Sequence, residues 1–323
     1  MSRCPSRTDS RKSIPVLAIL APGQGAQTPG FLSPWLEDAA VREQLDTLSE
    51  VAGVDLAHYG TEADAETIRA TDIAQPLLVA AGLVAGQALL NDGVRPDVVA
   101  GHSVGEITAA ALVGVLSPAD AMRFVATRGR GMAAASALRP TSMMAVVGGV
   151  PDEVLAAIEA AGLTAANNNG RGQIVAAGTV EQLAELSANP PARARLIQLS
   201  VAGAFHTVHM QPAVAELEAL ASGLSTGAPT TQLLSNADGT VVDDGAEMLR
   251  RLVSQVGNPV RWDLCLDTLA ALGVTGILEL PPAGTLTGIA KRNLKGVALF
   301  NLNTPDQLVD ARAFTAEHAG VAA

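Results

Sequence analysis

Apolar and polar positions along the chain fall into blocks that read as strand, turn and helix in regular succession. Val16–Ala21 is an unbroken apolar run, as expected of a strand covered on both faces, and it stops at Pro22-Gly23-Gln24-Gly25-Ala26-Gln27. Ile73 to Leu90 reads as a long, mostly apolar helix closed by Asn91-Asp92-Gly93. A second apolar run, Val98–Ala100, leads through a glycine-flanked turn into the alanine-rich helical stretch Ile107–Leu112. Pro118 to Met132 reads as a helix with proline near its start, where no backbone donor is needed. Short apolar runs return at Gln232–Ser235, Gly276–Leu280 and Val297–Asn301. Strands separated by helices predict a parallel α/β sheet covered on both faces.

The middle of the chain breaks that rhythm. Met143–Val147 is a strand candidate and Pro151–Ala161 a helix. Thr164–Asn168 and Gln173–Ala177 are two strands around an Asn-Gly-Arg-Gly turn, Val180–Ser187 is a second helix and Ala194–Leu199 a last strand. That β-α-β-β-α-β order is the ferredoxin-like signature. The predicted organisation is a large α/β subdomain from residues 14–140 and 206–310, an inserted ferredoxin-like small subdomain at 141–205, and tails at 1–13 and 311–323.

Composition narrows the picture. With 48% hydrophobic but only 2% aromatic residues, the core has to be built from Ala, Val, Leu and Ile, which suits parallel strands under closely packed helices. The apolar stretch Leu77–Leu90 is short for a bilayer span and is interrupted by Gln87, so no membrane partner is expected. Arg3, Arg7, Arg11 and Lys12 precede the first apolar run, which matches a signal peptide in outline but is short and enters Gly-Gln-Gly directly, so the expectation is a frayed polar tail entering the first core strand. Cys4 and Cys265 form no disulfide framework, and the expected location is a reducing cytoplasm. A net charge of −11 argues against nucleic acid as a partner. Lysine occurs only at Lys12, Lys291 and Lys295, and the last two flank Arg292 in a local basic spot.

The candidate chemistry centres on Gly101-His102-Ser103-Val104-Gly105-Glu106. A serine between glycines at a strand-to-helix junction is the nucleophile-elbow arrangement, with the helix N-terminus aimed at the hydroxyl and the Val104 N–H placed for an oxyanion. A tight βα turn with an incidental serine is the plainer reading. The Gly23–Gln27 loop also ends a strand, on the side where open α/β sheets bind ligands. It lacks a G-x-G-x-x-G or Walker pattern, so it reads as a second oxyanion donor or an ordinary turn. A serine needs a base, and five histidines are available: His58, His102, His206, His209 and His318. His102 adjoins the serine but points away from it on an elbow, while His58 and His318 lie in polar, solvated segments. His206 is favoured only mildly, and the H-x-x-H it forms with His209 lacks the further ligands of a zinc site. Arg128 lies on a helix that otherwise presents Met122, Phe124, Val125 and Met132. If buried it needs a carboxylate, and a substrate could supply one; otherwise it is a surface arginine.

These residues together resemble the malonyl-CoA:acyl carrier protein transacylases and the acyltransferase domains of polyketide synthases. The resemblance runs from about Val16 to Asn303 through Pro-Gly-Gln-Gly-Ala-Gln at 22–27, Gln-Pro at 75–76, the Ser103 motif, Arg-Gly at 128–129, Asn167 to Gly178, Phe-His at 205–206, Asn-Pro-Val at 258–260 with Trp262, Leu-Thr-Gly at 286–288 and Lys-Arg at 291–292. It implies an α/β-hydrolase-like body with a parallel sheet plus the inserted ferredoxin-like subdomain, and an S-malonyltransferase that needs no cofactor and no metal. Ser103 would carry the acyl group and His206 would be its base, the ring held by the backbone carbonyl of Gln255. Gln24 and Val104 would supply oxyanion N–H groups. Arg128 would bind the malonyl carboxylate, with Met132, Phe205 and Asn169 in the same pocket. Malonyl-CoA and an acyl carrier protein would be the partners, the carrier docking at Lys291, Arg292 and Lys295, and the enzyme would act as a monomer.

One departure stands out. Bacterial relatives often show Ser-x-Pro-x-His before the histidine, whereas this chain has Val-Ala-Gly-Ala-Phe-His, which resembles malonyl-type polyketide acyltransferases and leaves both fatty acid and polyketide pathways open. The alternatives are a serine esterase or thioesterase, which would place an acid between serine and histidine in the chain, and a non-catalytic carrier-protein docking module.

Overall fold

The computed structural model describes residues 14–320. The predicted tail at 1–13, with Cys4 and the Arg3, Arg7, Arg11 and Lys12 cations, lies outside the described residues, as do residues 321–323. The strands are β1 (Leu17–Ala21), β2 (Val98–Gly101), β3 (Thr141–Gly148), β4 (Thr164–Asn168), β5 (Gln173–Thr179), β6 (Ala194–Gln198), β7 (Gln232–Leu234), β8 (Val241–Val242), β9 (Val260–Arg261), β10 (Gly276–Glu279) and β11 (Ala298–Asn301). They form two sheets.

The larger sheet has the order β11-β10-β1-β2-β7-β8 and is parallel except for the edge strand β8. The apolar run at β1 explains its central place, because successive side chains serve opposite faces. Leu17, Ile19 and Ala21 face the side covered by helix Gly105–Leu112, on which Thr71–Asn91 packs in turn, while Ala18 and Leu20 pack on Trp262, Leu266 and Ile289. Both faces are thus covered, as an all-apolar strand requires. The helix Thr71–Asn91 is long and apolar enough to cross a membrane, so length does not exclude it. Its burial does: 78% of the relevant window is inside the protein. Gly82 and Gly86 let it lie against Thr108 and Leu112 of the next helix, Gly105–Leu112, where a Cβ would meet side-chain atoms at 2.5 and 2.6 Å.

The second sheet has the order β6-β3-β5-β4-β9. Its first four strands are antiparallel throughout, the split pairing of a ferredoxin-like unit. β3 alternates in the same way as β1. Met144 and Val146 pack with Val154, Ile158, Leu183 and Leu186 of its own two helices, and Met143 and Ala145 face the large body. The fifth strand, β9, comes from the large body and pairs in parallel with β4. Two residues are too few for any periodicity, which is why the sequence does not announce it.

The expected tail at 311–323 is corrected. Helix Leu308–His318 packs on the large sheet with Ala311 and Thr315 buried. Its small residues one turn apart make the buried face, so an overall polar composition conceals it. His318 is not a solvated surface residue either: its ring packs over Gly276 and beside Phe314 at 4.7 Å, and Nδ1 pairs with Thr275 Oγ1 at 3.1 Å. Deleting residues 308–320 should therefore lower Tm, on a scale of about 2–4 °C per kcal/mol lost. A melting curve unchanged by the deletion would restore the tail.

Candidate active site

β2 ends in a turn that only glycine permits on either side of the serine. A Cβ on Gly101 would sit 2.0 Å from the Gly105 carbonyl group, and one on Gly105 would sit 2.2 Å from the carbonyl oxygen of Ala21. Strand and helix are pressed together, and Ser103 takes up the bend with a left-handed φ of 53°. Such strain costs on the order of 1–3 kcal/mol and persists only where neighbours enforce it. Here Asn236 does so: its Oδ1 accepts the Ser103 N–H at 2.8 Å, and its Nδ2 donates to the Gly101 carbonyl at 2.8 Å.

Ser103 Oγ lies 2.7 Å from His206 Nε2. On the far side of the ring, Nδ1 lies 2.8 Å from the backbone carbonyl of Gln255. A carbonyl only accepts, so Nδ1 carries the proton and Nε2 is left to accept from the serine hydroxyl. Burial, reinforced by the nearby Arg128 charge, drives the His206 pKa down to about 3 and keeps the imidazole neutral. His206 also has a left-handed φ of 60°, a strain the sequence does not reveal. Because both ring nitrogens are engaged, His206 does not share a ligand site with His209.

Arg128 is 1% exposed, which removes the surface reading. Among the described residues no carboxylate touches it. Nη1 donates to Gln75 Oε1 at 2.6 Å, and Nη2 donates to Gln255 Oε1 at 2.9 Å and to Ser103 Oγ at 3.4 Å, while among the same residues Nε has no partner. Burial lowers its pKa to about 10, partly offset by the Glu106 charge, so it stays cationic at neutral pH. Met132 lies behind it, with its sulfur taking the other end of the Gln75 amide at 3.5 Å. Glu106, one turn into the helix after Ser103, is also buried. Its oxygens accept from the Asn236 N–H at 2.6 Å and from the Gln255 amide, and desolvation raises its pKa to about 7 against the pull of those donors.

A cleft of about 210 Å³ opens above Ser103 between the two sheets. Its walls include Gly23, Gln24, Phe205, Asn167, Asn169 and Met143. Gln24 is fixed by its side chain, which donates to the Arg69 carbonyl at 3.3 Å. Among the described residues no protein acceptor takes the backbone N–H of Gln24 or of Val104. Asn169 faces the elbow: its Oδ1 lies 2.9 Å from His102 Nε2, which is turned away from Ser103 toward the small subdomain. Thr285, Leu286 and Ile289 of helix Thr285–Asn293 line the same cleft. Lys291 and Arg292 at the end of that helix, and Lys295 just beyond, are exposed.

Sequence reasoning left three participants without roles. Gln75 and Glu106 carry a signal, each being a polar side chain in an otherwise apolar helical run. Asn236 carries none, since Ser235-Asn236-Ala237-Asp238-Gly239 reads as an ordinary turn.

A serine activated by a buried neutral histidine on an α/β scaffold, with free N–H groups over the same cleft, defines the class of enzymes that handle acyl groups. Residues 20–310 match the acyl transferase domain family, and the chain belongs to it. The chain is 50% identical over 296 residues to the malonyl CoA-acyl carrier protein transacylase of Mycobacterium tuberculosis (strain H37Rv), covering 91% of this chain and 98% of that protein. The crystal structure of MCAT from Mycobacterium tuberculosis aligns with a TM-score of 0.89 at 50% identity, over 92% of this chain and 99% of that one. A malonyl-transacylase solved in complex with its type II polyketide synthase acyl-carrier protein aligns with a TM-score of 0.86 at 28% identity, over 92% and 99% of the two chains.

The His206 environment fixes a pH dependence. The imidazole titrates near 6.5 when unfolded and near 3 when folded, so between those values the unfolded chain binds more protons. Stability is lost as pH falls through that window, by up to about 1.4 kcal/mol per pH unit. Denaturant titrations from pH 7 to 4.5 should show wild type losing stability faster than His206→Gln. Parallel curves would mean that His206 is not held neutral.

Proposed function

We propose that this protein transfers a malonyl group from malonyl-CoA to the phosphopantetheine thiol of an acyl carrier protein through an acyl-serine intermediate. One observation carries the reading: a buried arginine, held by two neutral amides, stands beside an activated serine. A cation so placed lacks its anion, and an acyl group ending in a carboxylate supplies it with bidentate, charge-assisted bonds.

His206 Nε2 takes the proton from Ser103 Oγ, which attacks the thioester carbonyl. The Gln24 and Val104 N–H groups receive the oxyanion. The carbon–sulfur bond breaks, the proton passes from His206 to the coenzyme A sulfur, and malonyl remains esterified to Ser103. In the second half-reaction the carrier thiol gives its proton to His206, its sulfur attacks the ester, and Ser103 leaves with the proton. No metal or redox cofactor enters this sequence. Phe205 beside His206 leaves little room for an α-methyl branch, so methylmalonyl is disfavoured, though a single methyl is worth only about 1–3 kcal/mol. The malonyl-loaded carrier serves the chain elongation common to fatty acid and polyketide synthesis, in the cytoplasm.

Intact mass spectrometry after incubation with malonyl-CoA should show one malonyl adduct on Ser103, abolished in Ser103→Ala. An adduct on another residue would overturn the assignment, and rapid repeated release of malonate without carrier would favour an esterase. Arg128→Ala should lose thirty-fold to several thousand-fold in malonyl transfer, about 2–5 kcal/mol, while gaining relative activity toward acetyl-CoA. Equal efficiency of wild type with acetyl-CoA and malonyl-CoA would refute the role given to Arg128.

The carrier is expected to dock at Lys291, Arg292 and Lys295, because acyl carrier proteins are acidic and this helix runs from the cleft to an exposed cationic end. Lys291→Glu with Lys295→Glu should raise the carrier KM by several-fold to about tenfold and steepen its salt dependence, leaving self-acylation by malonyl-CoA intact. Equal losses in both half-reactions would count against docking there.

A further inference from the structure

We propose that Glu106 is a positioning residue for the transfer: its buried carboxylate, bridging Asn236 and Gln255, aligns the Ser103 turn and the Arg128 guanidinium on one acyl group. The inference rests on the malonyl reading above. A glutamate in the first turn of a helix ordinarily caps its own N-terminus from the surface. Glu106 does not. It is 1% exposed, and its oxygens reach partners 130 and 149 residues away in the chain. Sealing a carboxylate from water is costly, and among the described residues no basic side chain touches this one in return.

Its two oxygens govern two arms of the site. Oε1 accepts the Asn236 N–H at 2.6 Å, and Asn236 in turn accepts the Ser103 N–H at 2.8 Å. That arm holds the strained serine. Oε2 accepts from Gln255 Nε2, whose other acceptors are the Ser103 carbonyl at 3.2 Å and Asn236 Oδ1 at 3.3 Å. With the nitrogen end of the amide committed to acceptors, its oxygen must face Arg128 Nη2, at 2.9 Å. A flipped amide would set N–H against guanidinium and oxygen against carboxylate. Glu106 therefore dictates which end of Gln255 meets Arg128, without itself touching substrate. A glutamine at 106 has the same shape but only one accepting oxygen, so one arm would face a donor with a donor.

The test is single-turnover self-acylation by malonyl-CoA and by acetyl-CoA, for wild type, Glu106→Gln and Asn236→Ala, each with a melting curve to establish the folded fraction. Glu106→Gln should slow malonylation about a hundredfold, the scale of a misplacement near 1 Å. Acetylation, which does not use Arg128, should slow less, so that the malonyl-to-acetyl ratio falls about tenfold. Asn236→Ala, which removes the serine support and the longer of the Gln255 contacts but leaves Glu106 on the Gln255 amide, should slow both acyl groups by nearly the same factor. A purely structural role would lower the folded fraction and leave the ratio of the surviving enzyme unchanged. If Glu106→Gln does not fold, Glu106→Asp, with both oxygens drawn back by one methylene, should show the same fall in ratio to a smaller extent. An unchanged ratio in the folding variant overturns the inference. Failure of wild type to take malonyl on Ser103 would instead overturn the functional reading itself, and the inference with it.

Discussion

Arg128 carries a full positive charge at a point sealed from water, beside a hydroxyl that has to become a nucleophile. A carboxylate in contact with it would relieve the charge, but would also occupy the position an anionic acyl group needs. The protein uses two glutamine amides instead, Gln75 and Gln255, whose oxygens solvate the guanidinium without neutralising it. Amides have two ends, so each must be held the right way round. Met132 takes the far end of Gln75, and Glu106, Asn236 and the Ser103 carbonyl take the far end of Gln255. Much of the polar interior follows from this one burial.

Gln255 links the two requirements of the reaction in one residue. Its backbone carbonyl orients the base, and its side chain orients the cation. The same cation helps to keep His206 neutral. Pairing Arg128 with an anionic acyl group screens that charge and lets the imidazole hold a proton more readily, so recognition of the acyl tail and basicity at the reacting atom are coupled through space. A neutral acyl group brings no such relief.

What could be read from the chain depended on how local the physics was. The nucleophile turn is legible at Gly101, Ser103 and Gly105 because backbone sterics over five residues force those residue types. The two subdomains are legible because the order of apolar runs and helices changes between them, while the unbroken apolarity of β1 and of Met143–Val147 in β3 reflects strands covered on both faces. The partners of Arg128 were hidden, since Gln75 and Gln255 come from distant segments and meet it only after folding. The buried face of helix Leu308–His318 was hidden for another reason: Ala311 and Thr315 are small, and small residues leave little imprint on a polarity pattern. The relation of His206 to Gln255 was accessible only through family resemblance, because a backbone carbonyl has no residue identity to read.

Strand β9 ties these parts together mechanically. Val260 and Arg261 complete the edge of the small sheet, five residues after the carbonyl that holds His206, and the Arg261 N–H is bonded to the carbonyl of Asn236 at 2.8 Å. Swinging the small subdomain outward would pull on the ring anchor and on the serine support at once. The mouth over Ser103 is thereby built as a slot of set width, not as a jaw. A long, thin pantetheine arm can thread such a slot end-on while the bulk of its carrier stays outside, and admission becomes a matter of cross-section instead of closure.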